Sequence, residues 1–197
     1  MNLTSEQVHW MFGAVLASAA LLLMLRENER IAGRWLDFVT PSLLLLFGIE
    51  LLVDPLIHGA NIPNNYGTET SQHWLFAILL LAAGAAEIAR LRRRGAGWPW
   101  RLPLAATLVA GAAIFAFHAQ HDSSAPMLVL IAQHRVIAAT LALLSIAFVA
   151  APPLERPRGP SPFSFLLLLL GIELLLYTEG RSVFGEALTA HGMGAMR

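Results

Sequence analysis

Two stretches of the chain are almost identical: residues 43–52 read LLLLFGIELL and residues 166–175 read LLLLLGIELL, with nine of ten positions the same. Each stretch is an apolar run that contains one glycine and one glutamate, and each lies inside a longer apolar segment. A membrane-spanning helix needs about 20 mostly apolar residues. We therefore interpret the two stretches as the cores of two membrane helices that repeat one unit.

The composition of the whole chain is typical of a membrane protein. Of the 197 residues, 56% are hydrophobic and 13% are charged, whereas soluble domains average about 45–50% and 25%. The mean hydropathy is +0.61. A formal net charge of zero argues against a nucleic-acid partner. Because cysteine is absent, disulfides, thiolate metal sites and covalently attached haem are excluded.

Six segments are apolar enough to span a membrane, so the sequence predicts an all-α fold with six transmembrane helices in a single bundle. They lie at about residues 7–25, 40–58, 72–90, 102–118, 126–150 and 162–179 of the one domain, 1–197. The junctions are short and polar, or rich in proline and glycine, as turns are. Arginines follow the first segment rather than precede it, the reverse of a signal peptide, so we expect this helix to be retained.

The distribution of arginine predicts the orientation of the bundle. Ten arginines fall at junctions on one side of the six spans: Arg26, Arg30, Arg34, Arg90, Arg92, Arg93, Arg94, Arg101, Arg156 and Arg158. Because positive residues favour the cytoplasmic side, both termini are expected on the periplasmic side. The bias to Ala, Leu and Arg, with no lysine, suggests a GC-rich bacterial genome and hence the bacterial inner membrane.

Histidines extend the repeat beyond the glutamate motif. His9, His73 and His134 lie near the starts of spans 1, 3 and 5. His134 follows His73 by 61 residues, and His118, at the end of span 4, follows His58, at the end of span 2, by 60. The sequence therefore predicts three helical hairpins in tandem.

All seven histidines lie on the predicted periplasmic side, and six are candidate metal ligands: His9, His73, His134, His58, His118 and His121. Neutral imidazole binds copper, zinc, iron and nickel. Accessory ligands on the same side are Asp54, Asp122, Glu179, His191, Met193 and Met196. Thioethers favour Cu(I), so the sequence predicts a copper site for metal handling or electron transfer, with zinc as the alternative metal.

Two other functions remain open. His73 and His134 occupy matched positions on two helices and are suited to axial ligation of a b-type haem in an electron-transfer subunit. Alternatively, the chain is a non-catalytic accessory subunit of a larger membrane complex. No nucleotide-binding or hydrolase motif is present, so we do not expect an enzyme on its own. Expected partners are the lipid bilayer, other membrane subunits, or a periplasmic metal or redox protein.

Three charged residues lie within the spans at similar distances from the periplasmic side: Glu50, Glu173 and Arg135. Each charge at the centre of a membrane costs about 2.5–3.5 kcal/mol, so such residues usually pair inside the protein. We expect Arg135 to bridge the two glutamates just beneath the histidines, either as a structural clamp or as a group that relays protons or tunes the metal. Glu87 lies near the arginine-rich side and is expected to pair there.

Overall fold

The computed structural model describes residues 5–57, 66–93, 98–117, 127–150 and 159–178. Within these residues the chain forms six α-helices and no β-strand. The helices are α1 (Ser5–Glu27), α2 (Val39–Ile57), α3 (Tyr66–Arg93), α4 (Leu102–Ala116), α5 (Met127–Ala150) and α6 (Pro162–Leu175). Short 3-10 turns, Arg34–Phe38 and Trp98–Arg101, lead into α2 and α4.

The all-α prediction with six helices is confirmed, and five helices, α1 to α5, are long and apolar enough to cross a membrane. The sixth, α6, is equally apolar but has 14 residues. At 1.5 Å per residue it spans about 21 Å, less than the roughly 30 Å of a hydrocarbon core. It ends earlier than predicted because the chain tightens there, with Tyr177 N donating to Leu174 O at 3.3 Å.

The six helices of the described residues form a ring in which closely packed and less closely packed neighbouring pairs alternate. The closest pairs are α1 with α6, α2 with α3, and α4 with α5, whereas α1 and α2 pack least. All three close pairs are antiparallel and lie between the hairpins predicted from the sequence rather than within them. We call the end with His9, His73 and His134 the histidine end and the opposite end the arginine end.

Glycines allow two of these close pairs to form. A Cβ added at Gly13 of α1 would lie 2.7 Å from the carbonyl oxygen of Gly171 on α6, and one added at Gly171 would lie 2.7 Å from the backbone nitrogen of Ala17. A Cβ at Gly48 of α2 would lie 3.1 Å from the carbonyl oxygen of Ala77 on α3. The glycines of the two near-identical stretches therefore each bring an even-numbered helix close to an odd-numbered one.

The buried faces of α1, α3 and α5 coincide when the helices are aligned on their histidines. In each helix, the fourth, seventh, tenth and eleventh residues after the histidine are buried. These residues are Gly13, Leu16, Ala19 and Ala20 on α1, Ala77, Leu80, Ala83 and Gly84 on α3, and Ala138, Leu141, Leu144 and Ser145 on α5.

The even-numbered helices show a matching pattern of buried residues. The matched positions are Pro41, Leu44 and Gly48 on α2, Leu104, Thr107 and Gly111 on α4, and Ser164, Leu167 and Gly171 on α6. On this alignment α4 follows α2 by 63 residues rather than by the 60 that pairs His118 with His58. An offset of 63 pairs His58 with His121 instead, and all three of these histidines lie outside the described residues.

Two polar side chains hold helix ends together at the arginine end. The Glu27 carboxylate, at the end of α1, accepts hydrogen bonds from the Ser161 backbone N–H (2.7 Å) and from the Ser161 and Ser164 hydroxyls (2.7 and 2.6 Å) at the start of α6. The Arg101 guanidinium donates to the carbonyls of Phe148 and Val149 in the last turn of α5. Both arrangements place a charge where the helix dipole favours it.

Ion pairs add to this end of the bundle. Glu87 is buried, and its Oε2 atom lies 2.8 Å from Nη2 of Arg90. This ion pair confirms the predicted pairing of Glu87 with arginine. Arg26 pairs with Asp37, joining α1 to the turn before α2.

Candidate functional site

Two of the predicted histidines meet on one tyrosine at the histidine end. The His9 ring from α1 stacks on the Tyr177 ring, with centroids 3.9 Å apart and planes 11° from parallel. The His134 ring from α5 packs edge-on against the same tyrosine at 5.7 Å. Tyr177 and His134 are both only 3% exposed. Tyr177 therefore contacts two imidazoles, from α1 and α5, that lie far apart in the sequence.

Hydrogen bonds to Tyr177 and Thr178, the two residues that follow Leu176 after the end of α6, hold this segment in place. The Trp10 indole donates a 2.8 Å hydrogen bond to the Tyr177 carbonyl. The Thr178 hydroxyl donates to the Glu6 carboxylate at 3.0 Å. The Gln133 amide, oriented to satisfy both of its groups, donates to the Thr178 carbonyl at 2.9 Å and accepts from its N–H at 3.3 Å. Side chains of both α1 and α5 thus form hydrogen bonds with this segment.

Further rings extend the contact to α4 and α3. Phe115 of α4 packs against His134 at 5.7 Å, and Phe76 of α3 packs edge-on against Phe115 at 5.9 Å. The rings of Phe76, Phe115, His134, Tyr177 and His9 therefore form one continuous series across the histidine end. Aromatic pairs of this kind are worth about 0.5–1.5 kcal/mol each beyond their buried area.

His73, the third histidine of the predicted set, lies half-buried on α3. The neighbouring Gln72 amide donates to the Phe117 carbonyl at 3.3 Å and so ties α3 to the end of α4. Among the described residues, no three His, Asp or Glu side chains lie close enough together to hold a metal ion. His9, His73 and His134 alone therefore do not make up a complete coordination site.

The other candidate ligands fall outside the described residues. They are His58, His118, His121, Asp122, Glu179, His191, Met193 and Met196, together with the side chain of Asp54. In the sequence, His58 directly follows the last residue of α2, and His118 directly follows Phe117.

The structure does not bring Arg135 to the two glutamates. Arg135 is exposed on α5, and no hydrogen bond or ion pair joins it to Glu50 or Glu173 among the described residues. Instead the Thr140 hydroxyl donates to Glu173 Oε1 at 2.6 Å. The prediction compared the distances of the three residues along their helices, but not the directions in which their side chains point. Successive residues of a helix point about 100° apart, so burying His134 turns Arg135 away from the core.

Tyr177 and Thr140 are contact residues of the site that were not predicted from the sequence. Tyr177 is one of only two tyrosines in the chain, and it lies four residues after Glu173 in the sequence. A polar aromatic residue so close to a membrane glutamate was a usable signal. Thr140 carries no comparable signal, because hydroxyl residues are common inside membrane helices.

Comparison with protein-family models, with curated proteins and with solved structures gives no match for this chain. The class that its fold defines is a helical bundle with membrane-like apolar helices.

Proposed function

We propose that this protein is an integral membrane protein that binds a transition-metal ion, copper by preference, through imidazoles at its histidine end. The observation that carries the proposal is the meeting of His9 and His134 on Tyr177. Imidazoles from α1 and α5 are thereby held within a few ångströms of one phenol. Groups that orient a ligand ring are a usual part of a metal site, because they fix which nitrogen faces the ion.

Each contact around Tyr177 would serve the site in a different way. Stacking against the phenol fixes the plane of His9, and burial between Phe115 and Tyr177 keeps His134 from rotating. Further ligands would come from His58, His118 or His121, whose sequence positions adjoin this end of the bundle. A set of three imidazoles suits copper or zinc.

The proposal includes a threefold internal repeat with all six helices crossing the membrane. Its support is the coincidence of buried positions on α1, α3 and α5 aligned by histidine, and on α2, α4 and α6 aligned by glycine. The concentration of arginine at the opposite end supports an orientation with the histidine end and both termini in the periplasm of a bacterium. A periplasmic site would have access to metal ions or to a redox partner outside the cytoplasm.

The first test is elemental analysis of the protein purified in mild detergent without a histidine tag. We expect close to one copper per chain after copper is supplied. Stoichiometric iron with a strong Soret absorption band would replace this proposal with the b-haem alternative. No metal, together with co-purifying membrane subunits, would leave the accessory-subunit alternative.

Single variants separate ligation from packing. His134→Phe keeps an aromatic ring between Phe115 and Tyr177 but removes both nitrogens, so copper content should fall at least tenfold while the protein still folds. His134→Ala should lower both copper content and stability. Unchanged copper in His134→Phe would remove His134 from the site. Tyr177→Phe, which keeps the ring and lacks the hydroxyl, is the matched control for a change at the same place.

A further inference from the structure

Arg135 interrupts the exposed apolar face of α5. The span of α5 that is apolar enough to cross a membrane begins at Val129, and Arg135 lies six residues further in, or about 9 Å along the helix. Its neighbours on the exposed face are apolar, with Val136, Leu143 and Ile146 exposed by 52%, 50% and 64%. A permanently charged group thus lies on a surface that otherwise suits lipid.

The described part of the chain offers Arg135 no carboxylate. Glu173, the nearest candidate from the sequence, accepts its hydrogen bond from Thr140 on the buried side of the same helix. The α5 helix itself has no acidic residue. Because a guanidinium stays protonated and is costly in hydrocarbon, its charge must be balanced by a group from outside the described residues.

Small side chains lie beside Arg135 among these larger apolar residues. Ala132 and Ala139 are exposed on α5 on either side of the arginine, and Ala113 and Ala116 are exposed on the neighbouring α4. The contact between Phe115 and His134 puts these two α4 alanines at the depth of Arg135.

Small residues let the backbones of two membrane helices approach closely, and they are enriched where such helices pack. The face of α4 and α5 therefore combines a charged side chain with small residues beside it.

We propose that this face of α4 and α5 binds a transmembrane helix of another protein, and that the helix brings an aspartate or glutamate to Arg135. Carboxylate is the complement that a guanidinium binds through two parallel hydrogen bonds. The alanines allow the partner backbone to come close enough for a short acidic side chain to reach the arginine. A lipid phosphate would bind at the headgroup level, further out along the helix, and would gain nothing from the alanines.

The test is photo-crosslinking in the membranes of the native host. A photoreactive amino acid replaces Ala139, beside Arg135, and in a control it replaces Ile78, which is 59% exposed on α3. We expect position 139 to crosslink to a membrane helix of another protein, and the crosslinked peptide to contain an Asp or Glu. Position 78 should give only lipid adducts.

Charge variants decide whether the arginine makes the contact. Arg135→Gln should lower the crosslink yield at least tenfold, and reversing both charges, with Arg135→Glu and Arg in place of the partner's carboxylate, should restore it. Arg92→Gln, which removes an exposed arginine at the arginine end, should leave the yield unchanged. Adducts to lipid alone, adducts to a second copy of this chain, or a yield insensitive to Arg135→Gln would each overturn the proposal.

The purified protein gives an independent readout. If Arg135 serves a partner, Arg135→Leu should leave the thermal midpoint of the isolated protein in detergent unchanged or raise it. A midpoint that falls by several degrees would mean that the arginine stabilises its own chain, and would contradict the proposal whether or not a crosslink forms.

Discussion

The two ends of the bundle are held together by different kinds of contact. At the arginine end, charged side chains meet helix termini and one another, as with Glu27 at the start of α6 and Arg101 at the end of α5. At the histidine end, hydrogen bonds are joined by contacts between rings, with His9 and His134 both packed against Tyr177.

This difference indicates where function is to be sought. The charges whose contacts are described at the arginine end have structural roles that account for their positions, since they bind helix ends or pair with each other. Rings alone would hold the histidine end equally well if they were phenylalanines. Imidazole at those places is therefore the feature that packing does not explain. Variants at the two ends should accordingly separate stability from metal content.

The largest effect is expected from Tyr177→Ala, which removes the ring that joins His9 to His134. Loss of a buried aromatic ring costs about 3–5 kcal/mol, so the free energy of unfolding in mixed micelles should fall by about 3 kcal/mol. Copper content should fall with it. Tyr177→Phe keeps both ring contacts and should change stability by less than about 1 kcal/mol. Equal losses in the two variants would show that the hydroxyl, and not the ring, joins the helices.

A smaller effect is expected from Glu27→Ala at the other end. It removes the acceptor of three hydrogen bonds from Ser161 and Ser164. Hydrogen bonds to a charged group contribute about 1.5–3 kcal/mol, and solvent access at this half-buried site should bring the total loss to about 2 kcal/mol. The copper bound per folded chain should not change. A loss of copper would mean that the two ends are coupled and would break the comparison.

Arg101→Gln should cost less again. The guanidinium bonds two carbonyls in the last turn of α5 and interacts favourably with the negative end of that helix. Such an interaction is worth about 0.3–1 kcal/mol, and the denaturation midpoint should shift accordingly. Arg92→Gln, at an exposed position on α3, controls for the loss of positive charge. If both variants shift the midpoint equally, the contact with α5 contributes nothing of its own.

The smallest effect is expected at the pair of Arg26 and Asp37. The side chain of Arg26 is 38% exposed and that of Asp37 is 34% exposed, so water and salt screen the pair. Exposed ion pairs contribute about 0–1 kcal/mol, and we expect less than about 0.5 kcal/mol for Asp37→Asn. A double-mutant cycle with Arg26→Gln would measure the coupling. A coupling above 1 kcal/mol would show that this pair fixes the turn before α2.

Particular elements show what the sequence could predict. Apolar length located five membrane-like helices and the short α6, because hydrophobic segments of this length have few alternatives. Glu87 was correctly matched to the arginines near it, since a charge inside a span pairs with what lies within a turn. Both properties depend on residues that are close together in the sequence, so the sequence pattern is enough to predict them.

Properties that depend on neighbours were harder to predict. Distance along the helix did not indicate which face of α5 carries Arg135, because the side of α5 that is buried depends on α4 and α6. The contact of His9 with Tyr177 joins residues 168 positions apart, and no spacing within the chain indicates that α1 packs against α6. The short-range pattern of the repeat could not show which helices pair closely.

Copper content in a paired set of variants tests the central claim most directly. The double variant His9→Phe with His134→Phe keeps two rings on Tyr177 and removes both imidazoles, while Glu27→Gln alters the arginine end and leaves the histidines intact. We expect the double variant to fold and to hold less than a tenth of the copper bound by the unaltered protein, with Glu27→Gln fully loaded. A folded double variant that binds copper as the unaltered protein does would contradict a metal site at the histidine end.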